Sequence, residues 1–589
     1  MIGREQVQHA MTTLEKYKTG KVCLENRIVE NERWYKGRHW ENIRSEKDLT
    51  PTSAWMFNAL ANKHADAMDN YPAPAVLPRE ESDMQVAEAL SSVLPTLLEY
   101  NEFPKTYSDV WWYKLKNGTG VYEVVWDNTL DNGLGNVAIR KADLLNMFWE
   151  PGVTDIQKSP HLFHVELRNK KELEEQYPDM DFNAGNNSTI TQYRHEETID
   201  ISGKVLIVDW YYKKRGKLHF CQFANENILF ATENNPEQYP NGFYEHNKYP
   251  FVFDVLYPEA DGPVGFGIID LMKDCQTYID RLDESILQNA LVSSRKKIII
   301  RGDGSINEKE MADPYTTIVH SDATLGEGSY REVSFNPLPP IYANILQSKI
   351  AELKETSGNR DFSQGAVSGG VTAASSISLL QEAGSKLSRD MINASYRAFA
   401  EINYLIIELI RQFYTEERVF RIIGDGGYKF VHFSNRELLP QSQGHDFGLD
   451  LGYRLPVFDV SVTAEHESPY RTLSNNELAL QFYKLGFFNP AMATQALPTV
   501  KMMNFEGRDN VMESISNNFT LSQQVEQLTQ QVAQLSAVVD AQNGTTISQD
   551  VEVMNSVPKA PMAQGEVKTP APTQAERASA LARGQAAPR

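Results

Sequence analysis

The chain is poor in cysteine: Cys23, Cys221 and Cys275 are the only three among 589 residues, and no two are spaced C-x-x-C. An odd number at such distances excludes a disulfide framework or a thiolate metal centre, and predicts reduced thiols in an intracellular protein. Positive charge is also short. Lys and Arg number 57 against 78 Asp and Glu, a formal charge of -21, which excludes a protein that coats nucleic acid by neutralising phosphates. Passage of DNA through an acidic hole is compatible with it. No stretch approaches the roughly 18 uninterrupted apolar residues of a spanning helix, and Met1 to Gln6 hold no apolar signal region. Neither membrane insertion nor export is expected. Walker A and H-E-x-x-H sequences are missing, and His64, His219, His320, His432 and His466 are scattered rather than clustered with Asp or Glu, so they read as structural or surface residues. No metal and no cofactor is expected, and no catalytic residue.

What is present is enough apolar material, 41% of residues, to bury a large core in several domains. Residues 1 to about 115 have apolar residues at helical spacing around Trp55, Leu60 and Met68, and around Val86, Leu90, Leu94 and Leu98, with Tyr71-Pro72-Ala73-Pro74 separating two helices. From Val121 to Tyr257 the pattern turns to short β-rich runs, predicting a mixed or antiparallel sheet. A helix of roughly 27 residues, about 40 Å long, follows Gly262 to Gly267. Short strands at Lys297 to Arg301 and Thr317 to His320, with a small polar helix near Asn307 to Met311, form a β-rich insertion. Pro339-Pro340 opens another helix, and Gly358 to Gly370 must be a loop. The longest helix is expected from Thr372 to Tyr414, about 65 Å, with apolar residues that one subunit can hardly bury. Strands return at Val419 to Phe433 and Phe458 to Val462, then helices at Leu473 to Leu485 and beyond Arg508. Leu521, Val525, Leu528, Val532, Leu535 and Val539 make a short heptad run, and the chain from about Asn543 reads as disordered.

Two motifs invite enzymatic readings. Gly262 to Gly267 opens a helix but does not follow G-x-G-x-x-G, so it reads as a turn and helix start rather than a nucleotide site. Ala366-Val367-Ser368-Gly369-Gly370 resembles a nucleophile elbow without the strand that must precede one. A serine hydrolase or a nucleotide-binding enzyme therefore stays an alternative, as does another structural ring. Trp34 to Trp40 interleaves aromatic and basic residues, either as a platform for single-stranded nucleic acid or as a helix end anchored by its aromatics; the second is the simpler reading.

In order along the chain, Trp34-Tyr35-Lys36-Gly37 with Trp40, Asn58 to Asp69 before Pro72 and Pro74, Gly265-Phe266-Gly267 leading into Leu271 to Asp280, and Val371 to Ser375 with Leu380 to Gly384 resemble the portal, or head-to-tail connector, of tailed double-stranded-DNA bacteriophages. The resemblance covers about residues 25 to 500. It implies an α+β, portal-like subunit: a mixed α/β wing (1–263, with strands returning at 415–469), a two-helix stem (264–292 and 339–357), a small β-rich clip (293–338), a tunnel loop (358–371), a long tunnel-side helix (372–414), a helical crown (470–541) and a disordered tail (542–589). It also implies a homo-dodecamer at one capsid vertex of the virion, assembled in the host cytoplasm. The partners implied are the large terminase subunit, head-completion or adaptor proteins, major capsid and scaffold proteins, and double-stranded DNA in the channel. Clip docking would fall to Arg295, Lys296, Lys297, Arg301, Glu308 and Lys309, and DNA contact in the tunnel to Arg360, Asp361, Ser363, Gln364 and Ser368. Twelve helices about 10 Å wide, side by side, enclose a bore of about 28 Å. A duplex roughly 20 Å across passes through that.

Overall fold

The computed structural model describes residues 1–40, 49–178, 203–294, 297–301, 318–321, 330–333, 338–358, 386–424, 427–442, 445–446, 449–450, 453–464, 493–502 and 508–543, with eight isolated residues (180, 182, 309, 311, 316, 336, 482 and 484) between them. They fall into two compact units, Met1–Ser468 and Pro469–Arg589.

Helix α1 (Arg4–Tyr35) starts at Gly3, whose N–H donates to Gln6 Oε1 at 2.8 Å. Val7, Ala10, Leu14 and Tyr17 recur at helical spacing and pack on Phe163, Val208 and Trp210 of a sheet. The helix ends in the aromatic stretch singled out above. Gly37 takes a positive φ of 71°, and Trp40 Nε1 donates to Pro51 O at 2.9 Å, so Trp40 is an anchor at a helix end.

Helix α2 (Trp55–Asp69) is followed by strand β1 (Pro72–Pro78), which corrects the reading of the prolines as a mere break between helices. β1 pairs antiparallel with a strand from the far end of the unit, Phe458–Ala464, with Pro72 opposite Ala464 and Pro78 opposite Phe458. Proline cannot donate to a ladder and belongs where its nitrogen faces outward. Pro72, Pro74 and Pro78 all occupy even positions, and the remaining even nitrogen, that of Val76, donates to Ser91 Oγ at 2.8 Å. Ser91 belongs to helix α3 (Met84–Tyr100), whose Val86, Leu90, Val93, Leu94 and Leu97 are buried, and α4 (Phe103–Asn117) completes the helical part.

The β-rich stretch is antiparallel throughout. Strands β2 (Thr119–Asp127), β3 (Asn136–Ala142) and β9 (Phe251–Val255) make one sheet in the order β3-β2-β9. Five more, β4 (Met147–Trp149), β5 (His161–Asn169), β6 (Lys204–Lys214), β7 (Lys217–Ala224) and β8 (Asn227–Ala231), make a meander in sequence order, with the short α5 (Lys170–Gln176) between β5 and β6. The loop before β9 holds His246, whose Nδ1 accepts from Lys248 N at 3.0 Å. Burial, with Lys248 and Lys213 nearby, pushes its pKa down from the ordinary 6.5 to about 3. The unfolded chain thus takes up a proton near pH 6.5 that the folded chain refuses, so stability is complete above that pH and falls as acid is added. His246→Asn keeps an acceptor but cannot titrate. Chemical denaturation at stepped pH should show its stability falling by on the order of 2 kcal/mol less than that of the unmodified chain between pH 6.5 and about 4.5.

After β10 (Tyr257–Pro258) and β11 (Gly265–Phe266) comes α6 (Ile268–Ser293), then strands β12 (Lys297–Arg301), β13 (Ile318–Ser321) and β14 (Tyr330–Val333), and α7 (Ile341–Ser357). In this small sheet β12 is central, parallel to β13 and antiparallel to β14. Of the small polar helix expected near Asn307 to Met311, only Lys309 and Met311 are described, both helical. Helix α8 is described over Lys386–Phe413, 28 residues or about 42 Å; positions 372–385 lie outside the described residues. The expectation that its apolar residues are hard to bury in one subunit is corrected. Phe399, Ile402, Leu405, Ile406, Leu409 and Ile410 are all buried in the chain's own core, because α8 lies against β9, β2 and α2. Each such side chain contributes about 1.5–3 kcal/mol. Hairpin β15 (Arg418–Gly424) and β16 (Gly427–Phe433), four two-residue strands β17 (Gln441–Ser442), β18 (His445–Asp446), β19 (Leu449–Asp450) and β20 (Tyr453–Arg454), and β21 (Phe458–Ala464) close the unit.

In the second unit, α9 (Ala493–Met502) packs Ala496 and Val500 on Ile515 of α10 (Arg508–Asn543). The heptad residues Leu521, Val525, Leu528, Val532 and Leu535 are each more than half exposed. Of the helix expected at Leu473 to Leu485, only Phe482 and Lys484 are described.

Candidate functional site

The α6–α7 pair with its strands is the feature that sequence reasoning marked for function, and its root is built with care. Gly118 ends α4 with φ 85°, and its Cα lies so close to Gly265 and Phe266 that no side chain fits. Gly267, the N-cap of α6, abuts the carbonyls of Leu115 and Lys116 in the same way, and its N–H donates to Asp270 Oδ2 at 2.9 Å. The glycine run is therefore a turn and helix start. Asn31 of α1 bridges the two helices, donating from Nδ2 to Lys116 O and to Asp270 Oδ1, both at 3.1 Å. Arg27 pairs with Glu259 and donates to Gly265 O.

About three turns further along α6, His39 Nδ1 lies 2.6 Å from Asp280 Oδ2, with both side chains buried. Asp280 Oδ1 also accepts from Gln276 Nε2 at 2.8 Å. The Trp34 ring packs on His39 at 4.4 Å, so the aromatic end of α1 exists to grip the middle of α6. On the other side Cys275 Sγ donates to Lys349 O of α7 at 3.3 Å, and Leu338 N donates to Asn289 Oδ1 at 2.9 Å. α6 carries five carboxylates against two cations, and α7 is balanced at two and two. Leu271, Tyr278 and Leu287 of α6 and Ile341 and Ile345 of α7 remain exposed.

The candidate clip residues are placed unevenly. Lys297 and Arg301 sit at the two ends of β12 and Lys309 is exposed, while Arg295, Lys296 and Glu308 lie outside the described residues. All five tunnel-loop candidates, Arg360, Asp361, Ser363, Gln364 and Ser368, also lie outside them. Among the described residues no group of three His, Cys, Asp or Glu could hold a metal ion, and no helix is long and apolar enough to cross a membrane. Sequence reasoning missed His39, Asn31 and the buried Lys114, Asp254 and Ser395. The one signal available was a charged residue inside an apolar stripe, as with Asp280 one turn after Gln276.

The model of a family described as "Phage P22-like portal protein" matches residues 30–248 and 214–568. No curated protein matches. Among solved structures, the chain is similar to one titled "Virion of native gene transfer agent (GTA) particle", at 11% identity over 78% of this chain and 89% of that chain. The TM-score is 0.34, and the likeness carries no argument.

Proposed function

The chain belongs to the phage P22-like portal protein family, a structural family of the virion, and from that membership we propose that it forms a dodecameric ring at one capsid vertex. The ring is the channel for DNA packaging and ejection. Its wing is residues 1–263 with 415–469, its stem α6 and α7, its clip the β12–β14 sheet, its tunnel loop 358–371, and its crown 470–541.

The observation that supports this reading best is the uncovered apolar surface of the helix pair. Leu271, Tyr278, Leu287, Ile341 and Ile345 are exposed in one chain, on two helices of which α6 buries Gln276 and Asp280. Helices set side by side in a ring cover such positions. The carboxylate excess of α6 suits a wall along which phosphates slide rather than bind. The clip, with Arg295, Lys296, Lys297, Arg301, Glu308 and Lys309, receives the large terminase subunit and later the head-completion or adaptor proteins, while scaffold and major capsid proteins surround the rest. Arg360, Asp361, Ser363, Gln364 and Ser368 face the DNA; one Arg beside one Asp gives a weak, releasable grip.

Negative-stain images of the purified chain should show rings with a central hole. A stable monomer across a wide concentration range would sink the reading. Where rings form, replacing Arg360, Gln364 and Ser368 by Ala should leave them intact and change packaging efficiency or genome retention.

A further inference from the structure

Two exposed faces of the 1–468 unit stay uncovered in a single chain. The first is aromatic. Tyr35 of α1, Phe57 and His64 of α2 and Trp112 of α4 form a surface stack: the His64 and Trp112 rings are 4.3 Å apart at 15°, Phe57 and Trp112 6.5 Å at 16°, and Tyr35 lies 6.0 Å from Trp112. Phe57 and His64 are seven residues apart and so share one helix face. Phe57 is 48% exposed. Asp109 is near enough to His64 to act on its charge, and it has no ion-pair partner among the described residues. Lys116, over the Tyr35 ring at 4.5 Å, is held by Glu32.

The second face is the outside of the β15–β16 hairpin. The register sets Arg421 opposite Phe430 and Val419 opposite His432, so these four side chains share one face. Val419 is 55% and Phe430 61% exposed, while Phe420 and Phe433 turn the other way into the core. His432 Nδ1 meets Glu417 at 3.0 Å, and Arg421 is the cation beside Phe430. Helix α3 packs against both α4 and β15, so the two faces are separate patches of one body.

We propose that the aromatic face of one subunit receives the hairpin face of the next copy of the chain. This rests on the ring reading. A closed ring of more than two identical subunits needs two different, complementary patches per subunit, whereas a self-complementary patch stops at a dimer. The chemistry of the two matches. A guanidinium stacks on Trp and His rings and pairs with a carboxylate, which gives Arg421 a seat on Trp112 beside Asp109. Phe430 and Val419 then cover Phe57, and aromatic and Arg side chains of this kind carry most of an interface's energy.

The test uses two full-length variants. Phe57→Lys sets a cation against Arg421, and Phe430→Glu sets a carboxylate against Asp109. Both positions are exposed, so below the assembly threshold, where all three chains are monomers, melting temperatures should stay close to that of the unmodified chain. By native mass spectrometry and sedimentation, each variant alone should be monomeric where the unmodified chain forms rings, its assembly threshold raised by at least about 100-fold. Mixed in equal amounts well above the unmodified threshold, they should give dimers of twice the 66.7 kDa chain. The intact hairpin of one docks on the intact aromatic face of the other, and the two spoiled faces stop growth. Rings from either variant at the unmodified threshold, or a mixture that yields only monomers, overturn the inference and leave the ring reading standing. An unmodified chain that never forms rings removes both.

Discussion

Replacing Asp254 by Ala should cost about 3–5 kcal/mol of folding stability, measured as a shift of the denaturation midpoint at constant slope. Asp254 lies on β9, and its Oδ1 accepts from Lys114 Nζ at 2.6 Å while its Oδ2 accepts from Ser395 Oγ at 2.5 Å. Lys114 also donates to Ser395 Oγ at 2.7 Å, and its Nζ lies 4.4 Å from the centre of the Trp111 ring. The Lys and Asp side chains are 0% and 1% exposed. Burial draws the Lys114 ammonium below its ordinary pKa, with Asp254 pulling it back up. Without the carboxylate, the amine must either keep an unpaired charge in the core or give up its proton, and both cost free energy. The group joins α4, β9 and α8, so its loss loosens the three elements around which the unit is packed. A double variant, Lys114→Met with Asp254→Leu, removes both charges and should recover most of the loss. If Asp254→Ala shifts the midpoint by less than 1 kcal/mol, the triad is not closed as described.

Gly118→Ala should be comparably severe, at about 3–5 kcal/mol, and it should disturb assembly as well. Two costs combine there. A residue with a Cβ pays roughly 1–2 kcal/mol to hold a φ near +85°, and the new methyl would lie 2.5 Å from Gly265 O and from Phe266 Cα. Those atoms are backbone and cannot swing aside. The end of α4 and the start of α6 must separate, which tilts α6 and the strands beyond it. Gly152→Ala is the control: φ is +82° and nothing lies within 4 Å of its added methyl, so only the conformational cost of about 1–2 kcal/mol should appear. Equal midpoint shifts for the two variants would show that the α4–α6 contact is not close-packed.

Much of this architecture is legible along the chain because the signals are local. Ile268, Met272 and Ile279 repeat at helical spacing after a glycine, and α6 runs over Ile268–Ser293, close to the span read from sequence. Pro339-Pro340 announces α7, which begins at Ile341. The runs around Val419 to Phe433 and Phe458 to Val462 alternate with turn residues and form β15, β16 and β21. What failed was any inference that needed a distant partner. Pro72 to Pro78 looks like a helix break because its ladder partner lies at Phe458–Ala464. Nothing near the prolines in sequence says that a strand will arrive there. The apolar positions of α8 looked too many for one subunit to cover, yet β2, β9 and α2 surround them.

Hydrophobic period, capping glycines and proline therefore determined most of the element order and with it the α+β class, because each acts over a few residues. Tertiary structure alone decided which polar residues are buried together, as with His39 on Asp280 and Lys114 on Asp254. It decided also which aromatics remain at the surface, as in the Phe57, His64 and Trp112 stack. Buried pairs form between elements that meet only after folding, and the free energy of a charged or aromatic side chain depends on what surrounds it in space rather than on its neighbours along the chain.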